Sequence, residues 1–126
     1  IVLTTGDGGG LMAIADLETA VRTARGRGIA VVWNDAAYGA EIHLYGRKGL
    51  AEAPMRIPET DFAALATAVG AEGLVVRELA DLDRLAAWAA QPVAERRFLL
   101  LDCRVSDAIT APYQEEILRV NSAPRD

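Results

Sequence analysis

"IVLTTGDGGGLMAIADLETAVRTARGRGIAVVWND", residues 1–35, decides the fold. The apolar run from Ile1 to Thr5 enters a glycine loop that spans residues 6–10. Leu11, Ile14, Leu17 and Val21 then recur at steps of three and four, the period of an amphipathic helix in "LMAIADLETAVRTAR". After Gly26 and Gly28, the continuous run Ile29 to Trp33 is too short for a helix and rich in β-branched residues, which predicts a buried strand. Such a β-loop-α-β unit joins parallel strands by a right-handed crossover and gathers ligands at their carboxyl ends. The glycine loop and Asn34-Asp35 both stand there.

The alternation continues outward from that unit. Gly46, Gly49, Pro54 and Pro58 mark an irregular stretch, free to move, between elements. Thr60 or Asp61 then caps a helix with Phe62, Leu65, Ala66 and Val69 on one face and Gly70 at its stop. Leu74 to Val76 form a strand, "DLDRLAAWAA" a helix with Leu82, Leu85 and Ala89 inward, and "RFLLLDCRV" a final buried strand. The pattern predicts an α/β fold, a doubly wound and mostly parallel sheet with helices on both faces. We place the domain at residues 1–110 and a peripheral tail at 111–126. A chain that opens inside a strand is expected to be a fragment of a larger one.

Composition narrows the function classes. Hydrophobic residues at 52% and charged residues at 25% exclude disordered, collagen-like and disulfide-scaffold chains. No apolar run approaches the ~20 residues that cross a bilayer, and no signal segment opens the chain, so we expect a cytoplasmic protein without a membrane partner. With net charge -5 and no basic run longer than Arg96-Arg97, no nucleic-acid partner is expected. Cys103, the lone cysteine, reads as a small buried hydrophobe. Trp33 and Trp88 read as packing residues. Glu78, Asp81 and Asp83 read as a solvated helix start favoured by the dipole.

The glycine loop poses the chemical question, because Asp7 occupies a place built for an anion. A strand, a glycine turn and a helix N-terminus converge free N–H groups and the positive end of the helix dipole on one point. A P-loop needs Lys and Ser/Thr after its glycines, and here Leu11 and Met12 follow. A Rossmann-like nucleotide site needs glycine at the first, third and sixth positions; Gly6 and Gly8 qualify, but Leu11 takes the sixth and Asp7 repels a bare pyrophosphate. The carboxylate fits if a divalent cation lies between it and the phosphates. Magnesium takes oxygen ligands, usually one or two from protein with phosphate oxygens completing the shell. Asp7 supplies one, the Asn34 amide a second from a strand about 4.8 Å away, and the Ala36 carbonyl a third.

"GDG" followed some two dozen residues later by "ND" resembles the motif of the thiamine diphosphate-dependent enzymes of the acetolactate synthase, pyruvate oxidase and benzoylformate decarboxylase type. "LETA", Gly39 and "DFAALATAVGAEG" extend the likeness to their carboxyl-terminal diphosphate-binding domain, from about Ile1 to Val105. The resemblance implies thiamine diphosphate and Mg2+ as cofactors, with Asp7, Asn34 and Ala36 on the metal and Gly6, Gly8, Gly9, Tyr38 and Gly39 completing the cofactor site. It implies a 2-keto acid substrate, decarboxylated or ligated. It also implies a homodimer or homotetramer, in which a Glu on the partner subunit's pyrimidine-binding domain activates the cofactor. Departures fall at Gly10, where relatives carry Phe or Ala, and at Ala40 and Leu44, where acetohydroxyacid synthases carry a pocket Met and Trp. Ala40, His43 and Leu44 are the candidate substrate contacts, and no catalytic residue is assigned on this chain, which alone is expected to be inactive. Two alternatives stay open: a non-catalytic regulatory subunit that still binds the cofactor, and a Rossmann-like nucleotide-binding domain.

Overall fold

The computed structural model describes residues 1–121. Four strands, β1 (Val2–Gly6), β2 (Ile29–Asn34), β3 (Glu72–Val76) and β4 (Leu99–Arg104), pair in parallel throughout, in the order β1-β2-β4-β3. The helices are α1 (Asp7–Met12), α2 (Leu17–Ala24), α3 (Gly39–Tyr45), α4 (Phe62–Ala68), α5 (Asp83–Ala90) and α6 (Pro112–Asn121). None of the described helices is long and apolar enough to cross a membrane.

Strand alternation sends two sets of side chains to opposite faces. Ala30, Val32 and Leu100 pack with Phe62, Ala66, Ala71 and Phe98, under Leu11 of α1, Leu17, Val21 and Ala24 of α2 and Leu65 of α4. On the other face Leu99, Leu101, Cys103 and Leu74 pack with Trp88, joined by Ile29, Val31, Val76 and Leu85. Each fully buried Leu or Phe contributes about 2 kcal/mol. Helices therefore cover both faces, as the sequence pattern predicts, and Cys103 is buried with its thiol pushed up by burial and then by the charge of Asp102. The α4 helix starts where expected: Asp61 Oδ1 accepts the Ala64 N–H at 2.8 Å. It stops before Gly70, whose φ of +91° is left-handed.

Several expectations need correction. The first helix does not run unbroken from Leu11: it begins at Asp7, stops at Ala13, and resumes through a 3-10 turn (Ile14–Asp16) into α2. Three glycines allow the chain to wind straight out of β1, since a Cβ at Gly9 would meet Thr5 Oγ1 at 2.8 Å and one at Gly10 would meet the Phe62 ring at 3.1 Å. They are also poor helix formers, so the turn they open is short. In α5, Ala89 is exposed and Trp88 faces inward instead, its Nε1 donating to the Arg97 carbonyl at 2.8 Å with the Arg96 guanidinium over its ring. Trp33 is half exposed, lies outside the cluster under α5, and donates to Thr4 Oγ1 at 2.8 Å. Strand β3 begins at Glu72 rather than Leu74.

The stretch from 46 to 60 is irregular but tied down. The Tyr38 N–H donates to the Met55 carbonyl at 2.7 Å and the Ile57 N–H to the Ala36 carbonyl at 3.0 Å, flanking an antiparallel bridge of Ala37 with Arg56. Within the tail assigned to 111–126, α6 lies against α3 and buries Gln114. Residues 122–126 of that tail lie outside the described residues.

Candidate functional site at the carboxyl end of the sheet

Parallel register places Gly6 beside Trp33, so Asp7 and Asn34 emerge side by side at the strand ends. Asp7, the first residue of α1, is only 3% exposed. Its Oδ1 accepts the Gly8 N–H at 2.9 Å, while its Oδ2 is buried without a well-formed hydrogen bond among the described residues, with the Ala37 N–H and the Asp35 carboxylate close by. Burial pushes the Asp7 carboxyl up; the N–H groups of Gly8 and Ala37 oppose that shift, and the charge and hydrogen bonding of Asp35 add to it. Two carboxylates thus share one corner, one of them buried with an orphaned oxygen. A buried charge of this kind needs a counter-charge.

Asn34 is 3% exposed. Its Nδ2 donates to Asp102 Oδ1 and to the Thr60 carbonyl, both at 2.9 Å, and its Oδ1 is left with one long contact, the Ala36 N–H at 3.3 Å. The turn after β2 puts Ala36 in the left-handed region at φ 57°, and one lone pair of its carbonyl is taken by Ile57. Asp35 Oδ1 accepts the Ala37 N–H at 3.2 Å. Two glycines make this corner possible: a Cβ on Gly8 would lie 2.5 Å from the Tyr38 ring, and one on Gly39 2.4 Å from Asp35 Oδ2.

No group of three or more His, Cys, Asp or Glu side chains that could hold a metal exists among the described residues. A cation here would depend on one carboxylate, one amide, a carbonyl and the oxygens of its ligand. That hard-oxygen set suits Mg2+, and the orphaned Asp7 oxygen is where it fits.

A cavity of about 320 Å3 opens over this corner. Gly6, Asp7, Gly8, Gly9, Tyr38, Gly39, Ala40 and His43 line it; Asn34 and Ala36 do not, and Leu44 lies off it. His43 Nδ1 is 3.1 Å from Thr110 Oγ1. The opposite wall comes from the segment after β4, through Val105, Ile109, Ala111, Tyr113 and Gln114. Sequence reading missed that wall, which follows from the path of the chain rather than from any motif. It also missed Asp102, although a carboxylate inside the apolar run "FLLLDCRV" is a signal that something must meet it.

The sequence profile of the family described as "Thiamine pyrophosphate enzyme, C-terminal TPP binding domain" matches residues 1–103. Among solved structures, the chain is similar to the benzoylformate decarboxylase of Polynucleobacter necessarius, with a TM-score of 0.70 at 20% identity. The likeness covers 86% of this chain and 20% of that one. No curated protein sequence matches. The fold, the glycine loop and the profile agree: the chain belongs to the thiamine pyrophosphate enzymes, of which it is the C-terminal, cofactor-binding domain.

Proposed function

We propose that this domain anchors the diphosphate of thiamine pyrophosphate through Mg2+, within a longer enzyme that decarboxylates or ligates 2-keto acids. The observation that carries the reading is Asp7 Oδ2, buried without a well-formed hydrogen bond beside the Asp35 carboxylate. Asp7, Asn34 Oδ1 and the second lone pair of the Ala36 carbonyl would hold the cation. Gly8 and Gly9 let Tyr38 and Thr5 close against the start of α1, whose backbone N–H groups would meet the phosphate. When bound, the cofactor supplies a carbon nucleophile and an electron sink for the keto acid. The residues of this chain bind and orient; Tyr38 packs over Gly8, and His43 and Ala40 border the space where substrate would lie.

No side chain on this domain is given the task of activating the cofactor. That role falls to the Glu of a pyrimidine-binding domain on a partner subunit, in a homodimer or homotetramer, so the isolated chain is expected to turn over no keto acid. Calorimetric titration of thiamine pyrophosphate into the full-length protein, with and without Mg2+ and with Asp7→Ala as control, tests the proposal. Magnesium-dependent heat that Asp7→Ala abolishes is the expected result. Equal binding without any divalent cation would sink it and favour a nucleotide-type site.

A further inference from the structure

Asp102 is wholly buried in β4, and the proposed function gives it no role of its own. Its two oxygens meet three donors. Oδ1 accepts from Asn34 Nδ2 at 2.9 Å, and Oδ2 accepts from the Phe62 N–H at 3.1 Å and from Arg104 Nη2 at 2.7 Å. Arg104 also reaches the Thr60 carbonyl at 3.3 Å, and its Nη1 lies 2.5 Å from Glu59 Oε1, too far off axis for a hydrogen bond. The Thr60 carbonyl in turn takes the second hydrogen of Asn34 Nδ2.

We propose that Asp102 is a positioning residue that fixes which end of the Asn34 amide faces the cation. The proposal rests on Asn34 being a cation ligand. An amide's nitrogen and oxygen are told apart by their partners. Here both partners on the inner side, Asp102 Oδ1 and the Thr60 carbonyl, are pure acceptors, so only Nδ2 can point inward. Turning the amide over would set an oxygen against two oxygens. The Asn34 oxygen is therefore held away from Asp102, toward the Ala36 N–H of the turn after β2, before any cation arrives. Metal-site partners of this kind commonly govern affinity on the order of 10–100-fold.

Only a carboxylate fits the place of Asp102, because every group that meets it is a donor. In Asp102→Asn, keeping the oxygen toward Phe62 and Arg104 sends the new NH2 to Asn34. The Asn34 amide must then turn over and present Nδ2 to the cation. The double exchange Asn34→Asp/Asp102→Asn reverses the polarity of the bond: the amide at 102 donates to the carboxylate at 34, which keeps an oxygen outward whichever way it turns, while the Thr60 carbonyl loses its donor.

The test is a Mn2+ titration of the full-length protein followed by electron paramagnetic resonance at saturating thiamine pyrophosphate, with melting curves run alongside. Wild type binds Mn2+, and Asp7→Ala does not. Asp102→Asn weakens Mn2+ binding on the order of 10–100-fold, and the exchange variant recovers to within about tenfold of wild type. A merely structural role for Asp102 predicts the same Mn2+ affinity for the folded exchange variant as for Asn34→Asp alone, since the carboxylate at 34 is a cation ligand in either background. If wild type binds Mn2+ and folded Asp102→Asn binds it equally well, the proposal is overturned while the reading of Asn34 stands. If Asp102→Asn does not fold, the exchange variant is set against Asn34→Asp: tighter Mn2+ binding in the exchange supports the proposal, and equal or weaker binding overturns it. A wild type that binds no Mn2+ removes the ligand role of Asn34 and this proposal with it.

Discussion

Asp7 carries the sharpest residue-scale consequence. Its pKa in the folded protein lies above its unfolded value, so without a cation the folded state holds the extra proton between the two. The contribution of Asp7 to the stability of the cofactor-free protein then falls as pH rises from about 4 through the raised value. Asp7→Asn removes the buried charge, and cofactor-free Asp7→Asn should melt above wild type at pH 7 by on the order of 1 kcal/mol. Near pH 3, where Asp7 is protonated in both states, that gap should close. Melting curves across this range check it, and identical curves at pH 7 would contradict the account. The same variant should lose Mg2+-dependent cofactor binding, so one substitution stabilises the empty protein and disables the loaded one. Gly8→Ala should act differently, because its Cβ would lie 2.5 Å from the Tyr38 ring and must displace it. The expected result is weaker cofactor binding with the Mg2+ requirement intact, measured by the same calorimetry.

Contacts between elements set the next scale. The α4 helix and β3 approach so closely that a Cβ on Gly73 would lie 2.1 Å from the Ala63 carbonyl oxygen. Backbone cannot step aside as a side chain can, so Gly73→Ala should cost about 3 kcal/mol, read as a shift in denaturant midpoint. Asp61→Ala removes the cap bond to Ala64 and should cost about 1 kcal/mol. If the two costs come out reversed, close backbone approach is not what limits this packing. Elements were legible in the sequence to the extent that periodicity controls them. The strand Ile29 to Trp33 and the capped helix at Phe62 stand where their patterns place them. The glycine run held no such pattern, and its helical turn from Asp7 became visible only with Thr5 and Phe62 packed against it. Trp33 was misread for a related reason: alternation along a strand names a face, and whether a helix covers that face is decided elsewhere in the chain.

At the scale of the whole molecule, the sheet is unevenly covered. Among the described residues strand β1 pairs only with β2, and Ile1, Val2 and Leu3 are 91%, 71% and 53% exposed. No Lys, Pro or charge interrupts "VLTT", and an apolar cleft of about 250 Å3 lined by Leu3, Ile14, Leu17 and Phe62 lies beside it. An unprotected apolar edge of this kind pairs with other chains. The isolated domain should therefore self-associate as concentration rises, and Val2→Lys should reduce the association in sedimentation without lowering the melting temperature. A monomer at all concentrations would show that the edge is protected in some other way. The sequence by itself determined the parallel α/β architecture, the capped start of the helix at Phe62, and the nearness of Asp7 to Asn34, because these follow from local periodicity and from strand ends that parallel register brings together. Tertiary structure alone decided that an Asp7 oxygen is buried without a well-formed hydrogen bond and that Asp102 and Thr60 orient the Asn34 amide. It alone decided, too, that residues 105–114 wall the cavity. Those are meetings between groups far apart in the chain, and no local pattern of residues encodes the distance at which they meet.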